Sequence, residues 1–129
     1  MRHRKKRTKS IRSGIQKSNN QLRNLLTSLI QHGQIKTTKR KAKVLKSKWD
    51  KFFAKLIRQF DKYEDEPEVR REIIREVKRV VYTKEAGQKV VEELVPKYKK
   101  EGRTSGFISD YKLGFRKGDG AEEILVKLV

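Results

Sequence analysis

The chain has no cysteine, only two prolines and, through its first 49 residues, no acidic side chain. The missing cysteine rules out disulfides and thiolate metal sites and is compatible with a reducing compartment. Apolar runs are only a few residues long, so no segment spans a membrane. The basic start has the charge of a signal peptide's leading region, but no apolar stretch of roughly 7–15 residues follows, so export is not expected. Carboxylates begin at Asp50. The 49 residues before it carry 16 Lys or Arg, whereas the other 80 carry 19 basic and 16 acidic side chains. The net charge of +19 is therefore a property of one end. Charge segregated in this way fits a partner that is itself a dense line of negative charge, such as a nucleic-acid backbone.

What is present is enough for one small core. The 129 residues are 34% hydrophobic and include five Phe, four Tyr and one Trp, consistent with a single domain. Residues 1–18 (MRHRKKRTKSIRSGIQKS) are expected to form a basic extended arm, because their cations repel and only Ile11 and Ile15 are large and apolar. The arm reads as a solvated charge run or as a segment that orders on RNA. Residues 19–129 are expected to form the domain.

Leu22, Leu25, Leu26, Leu29 and Ile30 recur at helical spacing, which predicts a helix over 20–32. Ser18, Asn19 or Asn20 would cap its start and Gly33 its end. Arg23 and Asn24 would then sit beside free helical N–H groups, either as a phosphate site or as an ordinary cap with a solvated arginine. Gln34–Thr38 alternates and is β-branched, as one short strand would be. Thr38 would cap a long helix over 39–63. Its apolar stripe (Ala42, Leu45, Trp49, Phe52, Phe53, Leu56, Ile57 and Phe60) faces the core, and its lysines line the other side. The first two turns of that helix hold no acid for pairing at i,i+4, which favours phosphate contact there.

Residues 61–67 read as an acidic turn, and Pro67 opens a helix to about Val81 with alternating charges outside. Thr83 caps a further helix, which Pro96 kinks or ends. The period then changes. Thr104–Leu113 and Glu122–Val129 predict two strands around a Gly-rich turn over 114–120. The fold class is α+β: a small, mostly antiparallel sheet, one short strand plus a C-terminal hairpin, packed by about four helices.

No enzyme is indicated. His3 and His32 lack partners at metal-ligand spacing. Asp65 with Glu66 and Glu122 with Glu123 are adjacent surface carboxylates. Gly118-Asp119-Gly120 lacks the lysine and hydroxyl of a phosphate loop. No catalytic residue, cofactor or metal is expected.

The opening MRHRK, Leu22-Arg23-Asn24, Ile35-Lys36-Thr37-Thr38 with Lys41-Ala42-Lys43, and Gly114-Phe115-Arg116 with Gly118-Asp119 form an ordered series over nearly the whole chain. That series resembles the bacterial large (50S) ribosomal subunit proteins of the L-seventeen family. The resemblance implies a cytoplasmic, ribosome-bound structural protein that binds large-subunit (23S-type) rRNA near the polypeptide exit region. Neighbouring ribosomal proteins would be further partners, with no membrane or small-molecule substrate. Carried over to this sequence, the implied RNA contacts are Arg2, His3, Arg4, Lys5, Arg23, Asn24, Lys36, Thr37, Thr38, Lys41, Lys43 and Arg116. The charge of the arm adds Lys6, Arg7 and Arg12. The chain departs from the usual family pattern at Gln16-Lys17, Ser109-Asp110 and Gly120. Two alternatives are weighed on the residues alone, a free-standing nucleic-acid binder and a nuclease or RNA-modifying enzyme. The enzyme would need clustered carboxylates or a poised histidine, and the sequence offers neither.

Overall fold

The computed structural model describes residues 14–62 and 67–129. In chain order the elements are α1 (Ile15–His32), β1 (Gln34–Thr38), α2 (Lys39–Lys62), α3 (Pro67–Val80), α4 (Lys84–Lys89), a π-helical turn (Val90–Leu94), α5 (Val95–Lys100), β2 (Ile108–Phe115) and β3 (Glu122–Leu128). The three strands form one antiparallel sheet in the order β1-β3-β2. This is the α+β arrangement read from the sequence. The last and most apolar strand takes the middle place, where Ile124 and Val126 are buried beneath the helices.

Helix α1 begins at Ile15, inside the segment expected to be extended. Ser18, Asn19 and Asn20 are therefore helical residues, and none is a cap. Gln16 and Lys17 are good helix formers. The boundary falls at Gly14, whose φ of 83° is a conformation that glycine takes at little cost. At the other end Gly33 does stop the helix. It adopts the left-handed conformation and donates its N–H to the Leu29 carbonyl at 2.8 Å. Its own carbonyl accepts from Leu128 N, which ties the helix end to β3.

The apolar stripes of α1 and α2 meet in the core. Leu22, Leu26, Leu29 and Ile30 pack with Ala42, Leu45, Trp49, Phe53, Leu56 and Ile57. Each fully buried side chain of this size contributes about 1.5–3 kcal/mol. Phe53, Tyr98 and Phe107 form an aromatic triangle with centroid separations of 5.0–6.1 Å, joining α2, α5 and the approach to β2. Burial pushes the Tyr98 phenol up to about 12.

Pro96 does not end the helix. The helix widens ahead of it into the π turn, where Val95 donates to the Val90 carbonyl, and it then continues to Lys100. The wider turn makes room for a ring that would press on the carbonyl four residues back in a regular α-helix.

Strand β2 starts at Ile108, not at Thr104, and runs through Gly114 to Phe115. Asp50 of α2 fixes this start, because its Oδ1 accepts from the N–H groups of Phe107 (3.1 Å) and Ile108 (3.2 Å). A bulge between Lys112 and Gly114 then shifts the register by one residue. Gly114, with φ at 116°, sits in that bulge. The tight turn is confined to residues 116–121, where Gly120 donates to the Arg116 carbonyl and Arg116 to that of Ala121.

Candidate nucleic-acid interface

Of the expected RNA-contacting residues, Arg2, His3, Arg4, Lys5, Lys6, Arg7 and Arg12 lie outside the described residues, as does most of the acidic turn (63–66). The others fall into two groups.

The first group lies at one end of the sheet. Strand β1 passes straight into α2, so Lys36, Thr37, Thr38, Lys41 and Lys43 occupy one continuous junction. Thr38 pairs in register with Glu123, and Glu123 with Gly114, so the turn carrying Arg116 lies at this same end. Lys36 and Lys43 are exposed, while Thr37, Thr38 and Lys41 are half-buried. Residues 39–48 of α2 hold six cations, and the first turn holds no acid. The positive end of a helix dipole is an unfavourable place for lysine and a favourable one for an anion. The fold relieves only part of this repulsion. Lys39 pairs with Glu122 at 3.5 Å and Lys46 with Asp110 at 3.1 Å, both exposed contacts worth little. The unusual acid at position 110 thus neutralises a cation of α2. Lys36, Lys41 and Lys43 have no carboxylate partner among the described residues.

Arg116 is engaged within its own turn. Its Nε and Nη2 donate to the two Asp119 carboxylate oxygens at 3.1 and 2.8 Å. The Asp119 carboxyl is held below its ordinary value, first by the Ala121 N–H and then by the Arg116 guanidinium. This fork fixes the turn and leaves Arg116 less charge to offer a phosphate than the sequence suggested.

The second group lies on α1. With the helix starting at Ile15, Arg23 and Asn24 are in its third turn, so the expected phosphate site at the helix start is not formed by these residues. Asn24 is exposed. Arg23 instead joins α1 to the segment after α3. Its Nε donates to the Val80 carbonyl at 3.2 Å, and its guanidinium lies 4.2 Å over the Tyr82 ring. Tyr82 is held further by its N–H on Thr27 Oγ1 and its hydroxyl on Asn20 Oδ1. Beside Arg23 opens a cleft of about 660 Å³, lined by Gln16, Asn19, Asn20, Lys48, Trp49 and Val80 among others. Gln16, Asn19, Asn20 and Lys48 were not among the contacts expected from the sequence, where Asn19 and Asn20 read as cap candidates, Gln16 as a departure from the family pattern and Lys48 as one lysine of the α2 face.

Among the described residues no set of three His or carboxylate side chains converges as a metal site, and no helix is long and apolar enough to cross a membrane.

The profile of the family described as ribosomal protein L17 matches residues 21–129. The chain is 37% identical over 129 residues to the large ribosomal subunit protein bL17 of Thermotoga neapolitana, covering all of this chain and 95% of that protein. The bL17 of Thermotoga maritima shows the same identity and coverage. That of Clostridium botulinum (strain Loch Maree / Type A3) is 38% identical over 109 residues, 84% of this chain and 85% of its own. Profile and relatives agree along almost the whole length, and the chain belongs to the ribosomal protein L17 family, a family of ribosomal proteins and not of enzymes.

Proposed function

We propose that this protein is a structural constituent of the large ribosomal subunit in the cytoplasm and that it binds large-subunit rRNA. The β1–α2 junction provides a folded contact, and the basic residues ahead of α1 supply further cations. Its place near the polypeptide exit is what the family resemblance implies, and neighbouring ribosomal proteins complete its surroundings. The observation that carries the reading is the acid-free first part of α2, with six cations packed at the positive end of a 24-residue helix. Folding draws only two exposed ion pairs from that placement, whereas a phosphate backbone gains the remaining cations and the positive end of the helix. Contacts of this kind carry no base code, so recognition would rest on RNA shape.

The test is sedimentation of the native protein from lysate on a sucrose gradient, repeated after a high-salt wash. Co-migration with the large subunit after the wash is the expected result. Release to the top of the gradient at modest salt would overturn the reading and favour a free-standing nucleic-acid binder.

A further inference from the structure

We propose that the cleft between α1, α2 and the end of α3 receives a single unstacked nucleotide of the rRNA, an inference that rests on the rRNA-binding reading above. Three features of the cleft fit this ligand. First, its walls carry three side-chain amides, Gln16, Asn19 and Asn20. Asn19 and Asn20 already accept through Oδ1 from Lys48 and Tyr82, which orients their NH2 groups as donors, and Gln16 keeps both donor and acceptor for the edge of a nucleobase. Second, the charged lining residues are Arg23 and Lys48, with no carboxylate beside them. Lys48 is steadied by its bond to Asn19 Oδ1 at 2.9 Å. Arg23 has spent one of its five N–H donors on Val80 and is fixed over Tyr82, so its guanidinium is already placed as a stacking and hydrogen-bonding surface. Third, Trp49 lines the cleft while only 5% exposed, and its indole N–H has no hydrogen-bond partner. The Nε1 atom is itself out of contact with solvent, so a ligand in the cleft meets the indole ring rather than the N–H.

The volume of about 660 Å³ lies in the range of small-molecule sites. The cleft also continues from the first RNA surface. Lys41 and Lys48 are seven residues apart on α2, hence on one face and about 10 Å apart along the helix, so the phosphates following the flipped nucleotide would meet Lys41 next.

Trp49 is the sole tryptophan, so its fluorescence reports directly on this cleft. The experiment titrates the full chain with a naked large-subunit rRNA transcript, following filter binding and Trp49 emission together. A second arm places a photo-crosslinking benzophenone side chain at the exposed position Gln16. The expected result is an emission change that saturates with binding, together with a cross-link to one nucleotide. The double variant Asn20→Ala, Lys48→Gln, folded by circular dichroism, should bind about tenfold more weakly and lose the emission change. Undiminished binding with unchanged emission and no RNA cross-link would overturn the cleft proposal and leave the rRNA reading standing. Cross-linking at position 16 to another ribosomal protein in reconstituted particles would also overturn it. Failure of the unmodified chain to bind the transcript would overturn both.

Discussion

The start of α2 and the exposed side of α3 are both rich in cations, yet they are built differently. Residues 39–48 carry six cations and no acid, whereas α3 carries five cations interleaved with Glu68, Glu72 and Glu76. On α3 the interleaved glutamates offset much of the charge, although among the described residues only Glu76 closes ion pairs. Arg79 pairs with Glu76 at 3.2 Å, and Lys55 reaches the same carboxylate from α2 at 3.6 Å. At the β1–α2 junction Lys36, Lys41 and Lys43 find no such partner among the described residues. The difference teaches that cation density alone does not mark a nucleic-acid surface. What marks it is positive charge with no acid interleaved among it, here at a helix end whose dipole already opposes it. The balanced remainder of the chain acts as the frame that holds this surface in place.

The comparison is broken most severely by damaging the frame. Phe53→Ala empties the centre of the aromatic triangle and should cost about 3–5 kcal/mol in urea unfolding, lowering stability and RNA binding together. A loss of binding without a loss of stability would show that the frame is not what Phe53 supports.

Asp50 gives the next largest effect. Asp50→Ala leaves the Phe107 and Ile108 N–H groups without their acceptor and should cost about 2–4 kcal/mol, whereas Asp50→Asn keeps an acceptor and should stay within about 1 kcal/mol of the parent. The Asp50 carboxyl is raised above 3.8 chiefly by burial, with opposing contributions from the two N–H bonds and Lys46. For an acid with a raised value, the stabilising contribution is complete below the unfolded-state pKa and is lost as pH rises through the folded-state value. Unfolding free energies measured upward from pH 3 should therefore decline less in Asp50→Asn than in the parent. Equal slopes would remove Asp50 from the account.

An electrostatic change sharpens the comparison without disturbing the frame. Lys36→Gln, Lys41→Gln and Lys43→Gln together should leave stability within about 0.5 kcal/mol while reducing the log-log salt slope of rRNA affinity by about two to three units. The smallest effect belongs to Arg70→Gln, Arg71→Gln and Arg75→Gln on α3. That triple variant should shift neither stability beyond about 0.5 kcal/mol nor the salt slope beyond its error.

The parts of the fold legible in the sequence are those set by local pattern. The stripe from Ala42 to Phe60, the QIKTT strand, the Gly33 stop, Pro67 at the head of α3 and the Thr83 cap all follow from spacing or single-residue chemistry. Thr83 indeed accepts from the Ala86 N–H. The start of α1 departs from the expected one because no polar cap announces it, and the chain enters the helix from the positive-φ conformation of Gly14. The true start of β2 depends on a carboxylate 57 residues away, and the fixing of Arg23 on Val80 spans the same separation. Neither contact leaves a periodic trace. The lysines of the junction were therefore readable as a group, whereas the Arg23 cleft emerged only once α1, α2 and the end of α3 were brought together.

The most direct test of positive charge without interleaved acid as the RNA surface is ultraviolet cross-linking of intact large subunits, with the RNA-modified peptides of this protein identified by mass spectrometry. The account predicts adducts within residues 34–48 and none on the exposed side of α3 over residues 68–79. Adducts on α3 as frequent as those at the β1–α2 junction would contradict it.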